Sequence, residues 1–297
     1  MPEIKTAVIP AAGFGVRFLP ATMEVPKEML CIIDRPIIHH VVDEAMKSGI
    51  ENFVVIGGRG KESLSRYFNI HPELEQHLER KSNTEELKNV KAIGDLSDRF
   101  TFVTQKEPKG LGHAISCAKK AVQNESAFVV LLGDTIYSSD NVPVTKQCID
   151  AFKKYGKPII AVEKVKKDDV KRYGIIGMEP IAGNIGKVTK FVEKPSPETA
   201  PKFNGEFYGI TGTYILTPSI FEHLEKLQPG TGGEIQLTDA LSELSKQTDI
   251  YYLIIDGERF DVSNPTELVK VSLRLAMKDQ KMRSEILNLL SELKLTS

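Results

Sequence analysis

Short apolar runs recur along the chain, each closed by proline, glycine or a charged residue, with amphipathic stretches between them. The first run, Thr6 to Ile9, ends at Pro10 and reads as a buried strand. Pro36 to Gly49 has helical spacing: Ile37, Val41, Val42, Ala45 and Met46 share one side, and Gly49 is the stop. Phe53 to Ile56 is the next strand, and strand, helix, strand at this spacing predicts a parallel sheet. Pro72 to Leu96 is charged and helix-prone, a surface excursion with a break near Ser82-Asn83. Phe100 to Thr104 reads as a strand, Leu111 to Val122 as a helix, and Ala127 to Leu132 as a strongly buried strand running into Gly133-Asp134.

Beyond Asp134 the alternation continues with a helix over Val144 to Tyr155 and a strand over Ile159 to Val162. From Tyr173 the pattern shortens to hairpin-like strands, YGIIGM, KVTKFVEKP and FYGITGTYIL. Helices are expected at Pro218 to Leu227 and from Glu234 through Leu244, then a central strand at Tyr251 to Ile255. Pro265 to Leu295 is an amphipathic helical region in one or two pieces, with an apolar stripe that includes Leu268, Val269, Val271, Leu273 and Leu275. No repeat or linker interrupts the series, so the expectation is one α/β domain over residues 1–297 with a strand-rich lobe in its second half.

Composition excludes classes without naming a function. Apolar residues are 41% and charged residues 27%, ordinary for a globular chain, and no apolar run reaches membrane-spanning length. The start MPEIKTAVIP has no signal-peptide pattern, so a cytoplasmic location is expected. Net charge is −1 with no long basic block, which argues against a nucleic-acid partner. Cys31, Cys117 and Cys148 lack metal-ligand or CxxC spacing and read as reduced core thiols.

The candidate chemistry begins in Ala7 to Leu30, where a strand ends in a glycine loop followed by Arg17 and Lys27. Glycine lets backbone curl around a ligand, and two nearby cations suit a polyphosphate. Gly13-Phe14-Gly15 resembles a dinucleotide fingerprint only in part, because Phe18 stands at its third glycine. Gly57-Gly58-Arg59-Gly60-Lys61 fails as a P-loop at Glu62, which takes the place of the metal-binding hydroxyl. Asp134 follows a buried strand, where a carboxylate can hold Mg²⁺ together with phosphate oxygens, and Asp261 in ERFDVSNP is a candidate second ligand. Gln105 and Gly110 mark a second glycine loop, and an amide that donates and accepts suits a pyrimidine edge. Glu193-Lys194-Pro195 could grip sugar hydroxyls and a phosphate, although an adjacent Glu-Lys pair is ordinarily a solvated strand end. His113 reads as structural or capping, and His39 and His40 as helix surface or core edge.

In order along nearly the whole chain, AAGFGVRFLPAT, PKEML, QKEPKGLGHA, LLGD, RYGII, FVEKP, GGEIQLTDAL and RFDV resemble the bacterial-type UTP–glucose-1-phosphate uridylyltransferases, within the sugar-nucleotide pyrophosphorylases. The resemblance implies a Rossmann-like, mainly parallel sheet flanked by helices, the nucleotidyltransferase fold, with a smaller strand-rich sugar-binding lobe. Residues 1–135 would then be mainly the nucleotide half, 136–263 the sugar half and 264–297 a C-terminal helical region. It implies Mg²⁺-dependent transfer of UMP from UTP to glucose 1-phosphate, and a homodimer or homotetramer. Backbone around Ala11, Ala12, Gly13 and Gly15, with Gln105 and Gly110, would hold the nucleotide; Arg17 and Lys27 the triphosphate; Asp134 and Asp261 the metal. Gly174, Glu193 and Gly209 would contact glucose and Lys194 its phosphate, while Glu28 receives no role.

Several positions depart from the family pattern. Val16 replaces Thr or Ser, Met23-Glu24 replaces Lys-Ala, Thr213 replaces Arg and Ser263 replaces Gly. These departures bear on nucleotide choice and efficiency. The alternatives are therefore a related enzyme using dTTP or another sugar 1-phosphate, and a non-catalytic paralogue that binds nucleotide sugar.

Overall fold

The structure, a computed structural model, describes residues 3–293. Strand β1 (Thr6–Ala11) leads through short 3-10 turns to β2 (Cys31–Ile32), β3 (Arg35–Pro36) and helix α1 (Ile37–Lys47). Strand β4 (Asn52–Gly57), helices α2 (Glu62–Tyr67), α3 (Pro72–Arg80) and α4 (Thr84–Gly94), and strand β5 (Phe100–Thr104) follow. The break between α3 and α4 falls where the sequence placed it, and Ser82 takes a left-handed φ of 56° there. The stretch read as one helix over Leu111 to Val122 is two, α5 (Leu111–Cys117) and α6 (Lys119–Val122), because Ala118 caps the first by donating back to Ile115 and Ser116.

Next come β6 (Phe128–Leu131), β7 (Thr135–Ser138), α7 (Val144–Tyr155), which stops at Gly156 with a φ of 65°, and β8 (Ile159–Val165). Strands β9 (Gly174–Ala182), β10 (Ile185–Glu193) and β11 (Phe207–Leu216) precede helices α8 (Ile220–Leu224) and α9 (Leu237–Leu244). Helix α9 starts later than the pattern suggests: Gly232 and Gly233 both adopt positive φ, and Glu234 is extended. Strands β12 (Tyr251–Ile254) and β13 (Glu258–Asp261) and helices α10 (Pro265–Ala276) and α11 (Gln280–Glu292) complete the described chain. None of these helices is long and apolar enough to cross a membrane.

Nine strands form one sheet in the order β5-β4-β1-β6-β11-β8-β12-β10-β9. The pairs β4–β5, β1–β4, β1–β6 and β8–β12 are parallel, while β11 and β10 run against their neighbours. The hairpin strands of the second half therefore extend the main sheet. Consecutive residues of β1 face opposite sides, and both sides are covered: Val8 joins a core with Val54, Val130 and Leu241, and Ala7 and Ile9 join another with Val41, Phe53 and Ile149. This two-sided cover is why the strand reads as unbroken apolar sequence.

A third cluster gathers Phe18, Ile32, Ile37, Ile136, Phe260, Val262 and Val271, anchoring the first glycine loop, the β7–β13 ribbon and α10 to one another. The Phe that spoils the dinucleotide fingerprint is thus a core anchor. One sequence expectation needs correction. Cys31 is exposed rather than a core thiol, because its short strand lies on the surface, whereas Cys148 is buried. His39 sits at the core edge, one of the two places expected for it, with its Nδ1 2.8 Å from the Tyr67 hydroxyl.

Candidate active site

The parallel strands β1, β4, β5 and β6 end together, and ligands in open α/β sheets sit beyond such carboxyl ends. A cleft of ≈ 450 Å³ opens there, lined by Ala12, Gly13, Gly15, Val16, Lys27, Gln105, Gly110 and Asp134 among others. Gly15 has a φ of 65°, and a Cβ on it would lie 3.1 Å from the Lys27 Cβ, so the first loop closes directly onto the lysine segment. Thr22 secures this closure by donating to the Gly15 carbonyl at 2.9 Å. Gly110 has a φ of 94°, and a Cβ there would meet Glu234 Cβ at 2.7 Å. Lys109 O and Gly112 N each bond Ile235 at 2.8 Å, which fastens the second loop to the segment before α9.

Gln105 is 5% exposed, and its backbone N–H donates to Gly57 O at 2.8 Å. Its side-chain amide donates to Gly110 O at 3.3 Å and lies 2.8 Å from His113 Nδ1, which must accept in this arrangement. His113 therefore positions Gln105.

Lys27 donates to Asp134 Oδ2, and each side chain is 20% exposed. Burial alone would lower the Lys27 pKa, but Asp134, Glu28 and Asp261 together outweigh it and hold the ammonium above its ordinary value. Glu28 is 1% exposed; burial pushes its carboxyl up, opposed by Lys61 and Lys27. Burial likewise lowers Lys61, against the pull of Glu28. Arg17 lies apart from this group: it is exposed in the turn Val16–Phe18 and forms no ion pair among the described residues. Val16 and Met23 are 66% and 74% exposed, and Val16 lines the cleft.

The second group lies where β9, β10 and β11 meet. Glu193 pairs with Gly174 across β10–β9, and Gly209 with Ile175 across β11–β9. A Cβ on Gly174 would lie 3.2 Å from Glu193 Oε2, and one on Gly209 would lie 2.9 Å from Val165 Cγ1. Thr238 at the start of α9 donates to Glu193 Oε2 at 2.6 Å, fixing that carboxylate. Lys194 takes a φ of 44°, its N–H donates to Tyr173 O at 3.1 Å, and its ammonium is 3.3 Å from Glu193 Oε1. Thr213 is buried and donates to the Tyr137 hydroxyl at 3.0 Å, so this position serves the interior.

Tyr173 links the two groups, since its hydroxyl donates to Asp261 Oδ2 at 3.2 Å. Arg172 also bonds that oxygen at 3.2 Å, and Arg259 stacks 4.7 Å from the Tyr173 ring while pairing with Glu163 at 2.6 Å. Asp261 stands opposite Thr135 in the β7–β13 ribbon, and Val262 N–H donates to Asp134 O at 3.0 Å. The two aspartates are thus held at one end of the β7–β13 ribbon, Asp134 just ahead of β7 and Asp261 closing β13. Each is balanced by a cation, Lys27 or Arg172. Among the described residues no group of three or more His, Cys, Asp or Glu converges on one point. A pair of hard carboxylates suits an ion such as Mg²⁺, which fills its remaining positions with water and phosphate oxygens. Lys61, Thr238, Tyr173 and Arg259 make contacts in these groups that the sequence did not single out; Lys61 lay within the failed P-loop, and the other three within the motifs GGEIQLTDAL, RYGII and RFDV.

Comparison with known proteins gives the family. The nucleotidyl transferase family pattern matches residues 6–278. A UTP–glucose-1-phosphate uridylyltransferase 2 of Staphylococcus saprophyticus is 43% identical over 295 residues, covering 99% of this chain and 100% of the relative. A UTP–glucose-1-phosphate uridylyltransferase of Staphylococcus epidermidis is 43% identical over 286 residues, 96% of this chain and 97% of that protein. Among solved structures, a UDP-glucose pyrophosphorylase complexed with UDP-glucose superposes with a TM-score of 0.82 at 36% identity, covering 93% of this chain and 100% of that one. A UTP-bound enzyme of the same kind from Acinetobacter baumannii gives 0.87 at 33% identity, covering 98% and 100%. From its ordered motifs, its sheet and these full-length matches, the chain belongs to the nucleotidyl transferase family and, within it, to the bacterial UTP–glucose-1-phosphate uridylyltransferases.

Proposed function

We propose that the chain transfers UMP from UTP to glucose 1-phosphate, releasing pyrophosphate and forming UDP-glucose. The observation that carries this reading is the single line of contacts from the glycine-loop cleft with Lys27 and Asp134, through the β7–β13 ribbon, to Asp261, Tyr173, Lys194 and Glu193. Ala11, Ala12, Gly13 and Gly15 with Gln105 and Gly110 take the uridine end. Lys27 takes the triphosphate, and the exposed Arg17, next in the chain to the cleft-lining Val16, joins it. Gly174, Glu193 and Gly209 hold glucose, and Lys194 holds the sugar phosphate.

A phosphate oxygen of glucose 1-phosphate attacks the α-phosphorus of UTP in line with the departing pyrophosphate. That oxygen is anionic at neutral pH, so no side chain needs to remove a proton. The protein's work is to align two polyanions and balance the charge on the transferring group. Asp134 and Asp261 would hold Mg²⁺, which when bound adds positive charge beside the triphosphate oxygens. We also assign α11 to a subunit contact in a homodimer or homotetramer. It buries none of its own residues, while Leu287, Leu289 and Leu293 around its end are 42–56% exposed.

The test is pyrophosphate release over a grid of UTP, dTTP, CTP, ATP and GTP against glucose, galactose, mannose and N-acetylglucosamine 1-phosphates, with and without Mg²⁺. The expected result is a maximum at UTP with glucose 1-phosphate that requires the metal. A maximum at dTTP, or no turnover anywhere on the grid, overturns the reading.

A further inference from the structure

The turn from Gly57 to Lys61, rejected as a phosphate loop, touches both glycine loops of the cleft. Gly57 O accepts from Gln105 N–H at 2.8 Å. Gly58 backs onto the first loop so closely that a Cβ would lie 3.0 Å from Ala12 O. Lys61, with a side chain 9% exposed, donates through Nζ to Ala11 O and at 2.9 Å to Glu28 Oε2. Glu28 in turn adjoins Lys27, which pairs with Asp134. The signs alternate along this buried row: Lys61, Glu28, Lys27, Asp134.

From this geometry we infer that Lys61 is a positioning residue for nucleotide binding, fixing the spacing of the two loops that receive the uracil. The inference rests on the assignment of the base to Ala11–Gly13 on one wall and Gln105–Gly110 on the other. An ammonium suits the task because it can bond a carbonyl and a carboxylate at once, while the buried Glu28 prevents it from swinging out. Its two bonds go to the backbone at the end of β1 and to the Glu28 carboxylate, so its loss moves the wall of the cleft rather than removing a contact to substrate. The same row ties the wall of the base pocket to the cation that faces the phosphates.

The experiment is bisubstrate kinetics and thermal denaturation of Lys61→Met, the double variant Lys61→Met/Glu28→Gln, and Gln105→Ala. Lys61→Met should raise KM for UTP about tenfold to a hundredfold, with KM for glucose 1-phosphate within about twofold. The double variant removes the unpaired buried carboxylate, so it should regain melting temperature while KM for UTP stays high. A double variant that regains both overturns the inference, since charge balance alone would then explain the single variant. Equal rises of both KM values, or a lower melting temperature with unchanged KM for UTP, also overturn it. An unchanged KM for UTP in Gln105→Ala would locate the failure in the base-pocket assignment itself and overturn both.

Discussion

Lys27 holds Asp134 in the structure, and the proposed function assigns both groups to the substrate side, one toward phosphate and one toward metal. If Asp134 takes Mg²⁺ as proposed, this ion pair competes with the metal, and Lys27→Met should strengthen divalent-ion binding to the nucleotide-free protein. At contact in an effective dielectric of about 20, such a pair attracts by roughly 4 kcal/mol. Both side chains are only 20% exposed, so desolvation returns much of that. A remaining competition of about 1–2 kcal/mol corresponds to roughly a 5–30-fold tighter dissociation constant. Mn²⁺ is a suitable probe, with free ion followed by electron paramagnetic resonance in the absence of nucleotide.

On the proposed function the same substitution removes a cation from the transferring phosphoryl group, so pyrophosphate release should fall on the order of 10²–10³-fold, by analogy with other transition-state donors. Tighter metal with slower chemistry is the signature to look for. Lys27→Met/Asp134→Asn should lose the gain in Mn²⁺ affinity, because the gain belongs to the freed carboxylate. Unchanged Mn²⁺ affinity in Lys27→Met refutes the competition, and so does an equal gain in the double variant.

Thr238→Val removes the hydroxyl that donates to Glu193 at 2.6 Å and should raise KM for glucose 1-phosphate about tenfold while leaving KM for UTP within about twofold; parallel rises in bisubstrate kinetics would count against it. Burial holds the Tyr67 phenol up at about 12, against 10.0 in the unfolded chain, so its contribution to stability is complete below pH 10 and lost as pH rises toward 12. Tyr67→Phe should accordingly flatten the fall in melting temperature between about pH 9 and pH 11, removing about 1–2 kcal/mol of that loss after discount for partial exposure; an unaltered slope would contradict this. A chain ended at Asp279 keeps α10, whose Val271 is buried, but loses α11, and sedimentation should then report a lower oligomeric state than for the full chain. An unchanged state would free α11 from that role.

What the sequence discloses and what it hides follow from the range over which each residue acts. Apolar runs such as Thr6 to Ile9 mark a strand covered on both faces, because each residue must be apolar whichever side it meets. Glycines 15 and 110 mark the loops because their backbone demands are local. Helix ends are less legible: α9 begins late because Glu234 to Gln236 is drawn out toward Lys109 and Gly112, contacts more than a hundred residues away in sequence. Pairings within the site are hidden for the same reason. Glu193 finds Thr238 across 45 residues, Tyr173 finds Asp261 across 88, and Lys61 finds Ala11 across 50, each through the tertiary fold. Lys61 shows the consequence most clearly. Rejecting Gly57–Lys61 as a P-loop was sound, because Glu62 supplies no metal-binding hydroxyl, but that test asks only whether the lysine faces a phosphate. In the fold it faces a carbonyl and a carboxylate under the neighbouring loop, a role that depends on β1 and β4 lying side by side and has no local spacing to betray it.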